Sequence, residues 1–261
     1  MYDPELLATA SRAGYTALDA LYTGLDDDQW AVQSLCPEWT ARGVLVHRIG
    51  VEHILTGWSP SLDTPPPFER LGPFEAQLSE VSNADVLARA REVWAARADD
   101  LDAVDAEMVA APSITPTGPG AYGDFLRIRI FDSWVHERDV TFPLVIATDD
   151  GGPRAAYAVD EVTTAMGYIV GKKIGLTDGL GITLHVTGGV ERDIHVLVDG
   201  RAGVVDQLAD PVVEVTADVA TFVMLAAGRV DPQERIDAGA VTWTGDDAWG
   251  EKAARNLAYT R

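Results

Sequence analysis

The chain has 261 residues, of which 47% are hydrophobic, so it can bury a sizeable core and global disorder is excluded. Its formal net charge of −21 argues against nucleic acid or an anionic membrane as a partner, because both bind through basic patches. There is no apolar run of about 18 residues and no signal-peptide pattern, so we expect neither a transmembrane helix nor export. The single cysteine, Cys36, cannot form an intramolecular disulfide. These features predict a soluble cytoplasmic protein.

The first half of the chain predicts a helical bundle. Thr40 is a suitable N-cap for the second of its helices. The five prolines within residues 60–75 predict a loop, and residues 102–120 are rich in proline and glycine and predict irregular structure. Four long helices with irregular links are typical of a bundle. Apolar residues recur at helical spacing over residues 4–24, 41–58, 83–101 and 122–139.

The pattern changes after Pro143. Residues 153–174 predict a linking helix, and GITLHVTGG followed by RDIHVLVDG predicts a β-hairpin around a glycine-containing turn. PVVEVTA and AGAVTWTG predict two more strands, VATFVMLAAGR a short helix, and DDAWGEKAARNLAYT a closing helix capped by Asp246. Strands mixed with short helices indicate an α+β domain. We therefore expect two domains, residues 1–148 and residues 149–261.

The helix over Phe125–Val140 carries an ionisable pair among apolar residues. Asp132 and His136 are four residues apart, so both side chains lie on one face of the helix. An ionisable pair in an interior needs a partner, because an unpaired buried charge is costly. Either a metal ion or a plain carboxylate–histidine hydrogen bond would supply it.

The third ligand of such a metal site would be His47, on the second helix. Bundles commonly build metal sites from side chains of neighbouring helices. Two imidazoles and one carboxylate suit Zn²⁺ with an open fourth position and equally suit non-haem Fe²⁺. From the residues alone, His47, Asp132 and His136 could also be ordinary polar residues.

The segment SLCPEWTARGVLVHRIGVEHILTGW, with Trp30 upstream, resembles the N-terminal signature of the mycothiol-dependent maleylpyruvate isomerase family, which is one group of DinB-like metal-binding bundles. DSWVHERDV is similar to the place where that family has carboxylate-x-x-x-His. The C-terminal half, ending GRVDPQERIDAGAVTWTGDDAWGEKAARNLAYT, is similar to the family's small α+β domain, itself likened to sterol carrier proteins. The resemblance covers almost the whole chain. It implies a two-domain α+β fold, in which a four-helix DinB-like bundle precedes a sterol-carrier-like domain.

The resemblance implies that His47, Asp132 and His136 hold a divalent metal, with zinc preferred and iron, nickel or manganese as alternatives. The family has Glu at the position of Asp132, and the shorter Asp would shift the metal or change its preference. Arg229 falls where the family's second domain can send an arginine toward the metal cavity, and an arginine there would bind a carboxylate bidentately. The alternative for Arg229 is an ordinary surface residue.

The resemblance also implies a function: a metal-dependent enzyme that uses the small thiol mycothiol for isomerisation or S-transfer on a small electrophilic substrate. A coordinating thiol is deprotonated, and its thiolate would attack an electrophilic carbon. The expected partners are that thiol and the substrate, with no nucleic acid and no membrane, in a monomer or homodimer. Two rival hypotheses are a non-catalytic protein of the same fold that binds a small molecule or has a regulatory role, and a non-haem iron enzyme.

Four other residues have competing interpretations. Asp139 could accept a hydrogen bond from a ligand imidazole, although a surface residue at a helix end is the more ordinary interpretation. Cys36 could be a nucleophile, but a buried structural cysteine is commoner. A hairpin turn centred on Val190 would place His185 opposite His195, where we expect an exposed cross-strand pair rather than a metal site.

Overall fold

The structure of the protein is a computed structural model, and it describes residues 2–260. The chain divides into two compact units, Met1–Thr148 and Asp149–Arg261. The first unit is helical, and the second is a mixed sheet with helices packed on it, so the predicted α+β class is confirmed. Within residues 2–260, no helix combines the length and the apolar character needed to cross a bilayer.

The first unit is built on four long helices, as the apolar spacing predicts. The helices of this unit are α1 (Pro4–Gly24), α2 (Asp27–Trp30), α3 (Ala41–Leu55), α4 (Leu71–Gln77), α5 (Asn83–Asp102), α6 (Ala106–Ala110) and α7 (Tyr122–Leu144). Helix α1 packs against α5 and α7, and α3 packs against the same two helices. Asp3, Thr40 and Ser82 cap α1, α3 and α5 by accepting a backbone N–H of the first turn.

Two segments that were predicted to be irregular contain regular structure. Residues 60–75 include a 3₁₀ turn, Phe68–Arg70, and the start of α4, which packs against α3. Residues 102–120 include α6 and a short hairpin of strands β1 (Pro112–Thr115) and β2 (Gly118–Ala121). Prolines at the first turn of a helix or at a sheet edge are compatible with these elements, which is why composition alone misassigned them.

Helix α7 is longer and more buried than its sequence predicts. It continues past Asp139 and through Pro143 to Leu144, and Val145 then adopts a left-handed conformation with φ of 54°. Burial extends to charged residues near its end, including His136, Glu137, Arg138 and Asp139. Such residues are rarely buried unless they are paired, so this end of α7 is where interactions that satisfy charge are expected.

The second unit begins with α8 (Gly152–Tyr168), which continues as a π-helical turn, Ile169–Ile174, and ends at Gly175 with φ of 64°. The strands and remaining helices that follow are β3 (Gly181–Thr187), β4 (Arg192–Asp199), β5 (Arg201–Val205), β6 (Val213–Asp218), α9 (Val219–Ala226), α10 (Pro232–Asp237), β7 (Val241–Gly245) and α11 (Asp247–Arg255). The five strands form one sheet in the order β5-β4-β3-β6-β7, and β3 pairs parallel to β6 while the other pairs are antiparallel. Buried Ile182, Leu184 and Val186 line one face of β3.

The β3–β4 hairpin forms, but its register differs from the one predicted. His195 lies opposite Thr183, and His185 lies opposite Asp193, so the two histidines do not face each other. The turn is centred on Gly189 rather than Val190, and a shift of one residue in the turn centre moves every cross-strand partner by two. Strand β5 was missed, because its short sequence carries little alternation.

Candidate functional site

Helices α3 and α7 place the three predicted ligand residues in one neighbourhood. His47 lies on α3, and Asp132 and His136 lie on α7, which packs against it. The rings of His47 and His136 meet edge to face with centroids 5.6 Å apart. Trp39, just before α3, stacks on His47 at 4.3 Å. The two histidines therefore come together by helix packing.

Asp132 and His136 approach each other through one atom each. His136 Nε2 lies 3.4 Å from Asp132 Oδ1. His136 is only 4% exposed, whereas the Asp132 side chain is 29% exposed. The pair thus opens to solvent on the Asp132 side, where a small molecule could reach it.

Each histidine has a carboxylate on its other ring nitrogen. His136 Nδ1 lies 2.8 Å from Asp139 Oδ2, and His47 Nδ1 lies 3.3 Å from Glu75 Oε1. A carboxylate accepts the imidazole N–H, so Nδ1 carries a proton on both rings, while Nε2 of His136 faces Asp132 Oδ1. Metal-ligating histidines typically have this arrangement, in which the outer carboxylate fixes the tautomer and the ring orientation.

Asp139 is fully buried, so its interpretation as a surface residue is wrong. Its Oδ2 atom also accepts the Cys36 thiol, with Sγ at 3.0 Å, and its backbone carbonyl accepts the N–H of Leu35. In the described part of the chain, Cys36, His136 and Asp139 form the one group of three potential ligands whose ligand atoms lie within 4.8 Å of one another. They are an alternative ligand set, but their contacts are those of a hydrogen-bond network that holds His136 Nδ1.

Two arginines bind the other oxygen of Asp132. Arg48 Nη1 and Arg129 Nη1 both donate to Asp132 Oδ2, the latter at 2.8 Å. Their Nη2 atoms both donate to Glu52 Oε1, at 3.1 Å and 3.0 Å respectively. Two carboxylates and two guanidinium groups thus form a closed ring of alternating charge beneath the histidines.

Glu52 anchors this ring in the core. It is 2% exposed, and its Oε2 atom accepts the Tyr15 hydroxyl at 2.9 Å and Arg97 Nε at 3.3 Å. Four donors therefore saturate one buried carboxylate, which is the condition for keeping such a charge in an interior. Glu52 thus joins the ring to Tyr15 and Arg97 in the core.

The pKa values of the two carboxylates follow from this ring. Burial alone raises the pKa of Glu52, but Arg129, Arg48 and a third arginine outweigh burial and lower it to about 2. Burial likewise opposes ionisation of Asp132, while Arg129, His136 and Arg48 hold its pKa well below the usual range. Both groups are anionic at neutral pH.

The pKa values of the two histidines shift in opposite directions. Burial lowers the pKa of His136, but the charge of Asp132 and hydrogen bonds to Asp132, Asp139 and Cys36 raise it to about 10. Burial dominates at His47 and lowers its pKa to about 3, and the positive charge of His136 adds to that shift. At neutral pH, His136 is therefore positively charged and His47 is neutral.

The predicted ligands reach the spacing of a divalent metal site only in part, because the ligand atoms of His47, Asp132 and His136 do not all lie within 4.8 Å of one another. Two ligand atoms at about 2.1 Å from a tetrahedral zinc ion are about 3.4 Å apart. The separation of His136 Nε2 and Asp132 Oδ1 is 3.4 Å, and His47 adds a second imidazole whose ring centroid lies 5.6 Å from that of His136. Arg48 and Arg129 both donate to Asp132 Oδ2, and Oδ1 is the oxygen that faces His136. The ligand assignment of His47, Asp132 and His136 is taken up as a proposal below.

Several residues of the site were missed from the sequence. Arg129 precedes Asp132 by three residues, and Glu52 follows Arg48 by four, and both spacings predict a shared helix face. Glu75 could not be found, because its segment was interpreted as a loop. Arg229, in the second unit, follows α9 and its Nη1 donates to the Ala227 carbonyl at 3.5 Å, so its role in binding a substrate carboxylate stays a prediction.

The fold and site together define a class: a two-domain α+β protein whose helical unit holds a histidine–carboxylate site and whose second unit is a mixed sheet. The model of the mycothiol maleylpyruvate isomerase N-terminal domain matches residues 11–141, and that of the family's C-terminal domain matches residues 156–252. The chain therefore belongs to the mycothiol-dependent maleylpyruvate isomerase family.

Solved structures agree with this assignment at the level of fold. The chain is similar to the crystal structure of a mycothiol-dependent maleylpyruvate isomerase, with 17% identity, 93% of each chain covered and a TM-score of 0.60. A point mutant of a mycothiol-dependent maleylpyruvate isomerase gives 18% identity, the same coverage and a TM-score of 0.61. None of the curated proteins compared with the chain matches it.

Proposed function

We propose that this protein is a metal-dependent enzyme that uses a small thiol, mycothiol, for isomerisation or S-transfer on a small electrophilic substrate. His47, Asp132 and His136 are the proposed metal ligands, with zinc as the first choice and iron, nickel or manganese as alternatives. Family membership supports the thiol and the type of reaction. It does not fix the substrate, for which maleylpyruvate, named in the family, is the first candidate.

One observation carries the proposal. Both histidines have a carboxylate on Nδ1, while His136 Nε2 and Asp132 Oδ1 are 3.4 Å apart and point toward each other. A structural carboxylate–histidine pair needs only one such hydrogen bond. Two histidines that each have a carboxylate on Nδ1, and that lie on two packed helices, favour a shared metal ion.

The residues of the chain have separate tasks in this proposal. Asp139 and Glu75 hold the two imidazole rings, and Trp39 covers the face of His47. A divalent ion at this site would lower the pKa of a coordinating thiol so that the thiol is present as thiolate at neutral pH. Arg229 is proposed to bind a carboxylate of the substrate.

The proposed chemistry on the substrate is nucleophilic addition. A bound thiol would supply a sulfur nucleophile that adds to one carbon of the double bond, and the electron pair of that bond would move into the adjacent conjugated carbonyl. The carbon–carbon bond would then be single and could rotate, and the electron pair would return as the carbon–sulfur bond breaks. The thiol is regenerated in isomerisation. In S-transfer the carbon–sulfur bond persists and a proton adds to the neighbouring carbon.

Metal content tests the site. Protein purified without added metal should hold about one divalent ion per chain, measured by elemental analysis, and His47→Ala, Asp132→Ala and His136→Ala should each lose it. His53→Ala is a matched control, because His53 lies on the same helix and stacks on Phe74 instead. Unchanged metal content in His47→Ala would contradict the ligand assignment.

Turnover tests the reaction. The metal-loaded protein should convert maleylpyruvate to its trans isomer, or consume another activated alkene, only when a small thiol is present. Stoichiometric metal without turnover of any thiol–electrophile pair would favour the non-catalytic binding role. Iron, rather than zinc, in the purified protein together with thiol-independent oxygen consumption would favour the non-haem iron enzyme.

A further inference from the structure

His47 has a glycine on either side of it along one face of α3. Gly43 precedes it by four residues and Gly50 follows it by three, so all three residues share that face. A glycine inside a helix lowers the stability of the helix by about 1 kcal/mol relative to alanine. Neither glycine has a positive φ, so the backbone of α3 does not require them. The reason for both glycines lies in the space that they leave beside His47.

Gly50 leaves room for α4 to lie close to α3. A Cβ atom added at this position would lie 2.6 Å from Leu71 Cδ1, and 3.4 Å and 3.5 Å from side-chain carbons of Phe74 and Glu75. Phe74 is only 3% exposed, so α4 is anchored by burial at this point. The side chain of Glu75 thus passes beside Gly50, and its Oε1 atom reaches His47 Nδ1 at 3.3 Å.

Gly43 leaves room for the side chain of Trp39. A Cβ atom added at Gly43 would lie 3.0 Å from Trp39 Cβ and 3.4 Å from both Cγ and Cδ1 of the indole. The indole stacks on His47 with ring centroids 4.3 Å apart and planes inclined by 23°. It also meets the ring of His136, at 5.9 Å. Any side chain at Gly43 would therefore displace the ring that covers one face of His47.

We propose that Gly43 and Gly50 are positioning residues for His47. The first leaves space for Trp39, which limits tilting of the imidazole ring, and the second leaves space for Glu75, which fixes a proton on Nδ1. This inference rests on the proposed function, because the position of His47 matters to the chemistry only if that function holds. It extends the site to two residues that carry no side chain and that act only through their neighbours.

Filling the space at Gly50 in the full, metal-free chain tests the second half of the inference. Gly50→Leu keeps a good helix former in α3 but overpacks the contact with α4, so the bond from Glu75 to His47 should be lost. His47 is neutral at pH 7, so NMR shifts of its ring nitrogens, measured with isotope-labelled histidine, report which nitrogen carries the proton. The share of the Nε2–H tautomer should rise about threefold or more in the variant.

A smaller variant and a rescue variant accompany this measurement. Gly50→Ala should change the tautomer less, because Leu71 Cδ1 is the end of a flexible side chain and can turn away. Adding Leu71→Ala to Gly50→Leu returns the lost volume and should restore the Nδ1–H form. If Gly50→Leu does not fold, as judged by circular dichroism, Gly50→Ala takes its place.

Filling the space at Gly43 tests the first half. Ring protons stacked beneath an indole resonate at lower frequency, so Gly43→Leu should move those of His47 back by several tenths of a ppm. Gly72→Ala is the matched control for both variants, because a Cβ atom at Gly72 in α4 meets no other atom within 4 Å. It should change neither the tautomer nor the ring-proton shifts.

The outcomes separate this inference from the proposed function. An unchanged His47 tautomer in folded Gly50→Leu, or unchanged ring-proton shifts in folded Gly43→Leu, overturns the role of that glycine even if the variant is less stable. Altered NMR signals with wild-type metal content and turnover would show that the position of the ring does not serve the site, and would also overturn the inference. The metal content of the wild-type protein decides the proposed function separately, because the NMR measurements are made without metal.

Discussion

Each of the two units contains a histidine between two carboxylates, and the two cases differ in almost everything else. In the helical unit, His136 lies between Asp139, at 2.8 Å, and Asp132, at 3.4 Å. In the sheet unit, His185 Nδ1 lies 2.6 Å from Asp193, and its Nε2 lies 3.9 Å from Glu214. By contact distance alone, the two sites look alike.

Burial separates them. The side chain of His136 is 5% exposed and that of Asp139 is 0% exposed, whereas those of His185, Asp193 and Glu214 are 31%, 61% and 47% exposed. Water screens the exposed trio and competes for its hydrogen bonds. In the helical unit, His136 and Asp139 are closed to water even though Asp132 is 29% exposed, so the charge on these two groups must be balanced by fixed partners. Residue identity and spacing therefore do not define such a site until its surroundings are known.

Removing each histidine should expose the largest difference. His136→Ala deletes the Asp139 hydrogen bond and opens a gap between α3 and α7, so we expect a loss of about 2–4 kcal/mol in the free energy of unfolding. His185→Ala should change it by less than about 0.5 kcal/mol, because the site is screened. Urea unfolding of both metal-free variants measures this. Equal losses would show that burial does not separate the two sites.

The sequence predicted the fold class and the pair on α7, because helical periodicity and an i, i+4 spacing are local signals. The sequence also predicted that His47 lies near that pair, because long apolar helices of a bundle must pack together. It missed Glu75, because a proline-rich segment hid α4, and it missed the contact of Cys36 with Asp139, which joins residues that are 103 positions apart. It misplaced His185 against His195, because hairpin register depends on the exact turn.

The pH dependence of stability should also differ between the units. Burial raises the pKa of Glu52, but its arginines lower it to about 2, below the value of an unfolded chain. A depressed pKa stabilises the fold above the unfolded value and loses that stabilisation as the pH falls through the folded one. Between about pH 4.5 and pH 2, Glu52 should therefore account for a loss of about 3 kcal/mol.

Unfolding of the metal-free protein across this pH range, compared with Glu52→Gln, isolates that contribution. The variant should be less stable at pH 7 and should lose less stability on acidification than the wild type. Glu214→Gln, in the exposed trio, is the control and should follow the wild-type curve. Parallel curves for wild type and Glu52→Gln would mean that the buried ring does not determine acid stability.

The smallest expected effect concerns the outer carboxylates. Asp139→Asn keeps the shape of the side chain but removes the charge that orients His136, so we expect the metal affinity to fall about 10- to 100-fold. Asp193→Asn makes the same change beside His185 and should leave the affinity unchanged. Competition with a fluorescent zinc chelator measures both variants.

A fall for Asp193→Asn as large as that for Asp139→Asn would place the metal outside the helical unit. No fall for either would mean that Asp139 orients His136 for stability alone, in which case the unfolding free energy should still drop. The two readouts, affinity and stability, therefore separate a carboxylate that prepares a ligand from one that only satisfies a buried imidazole.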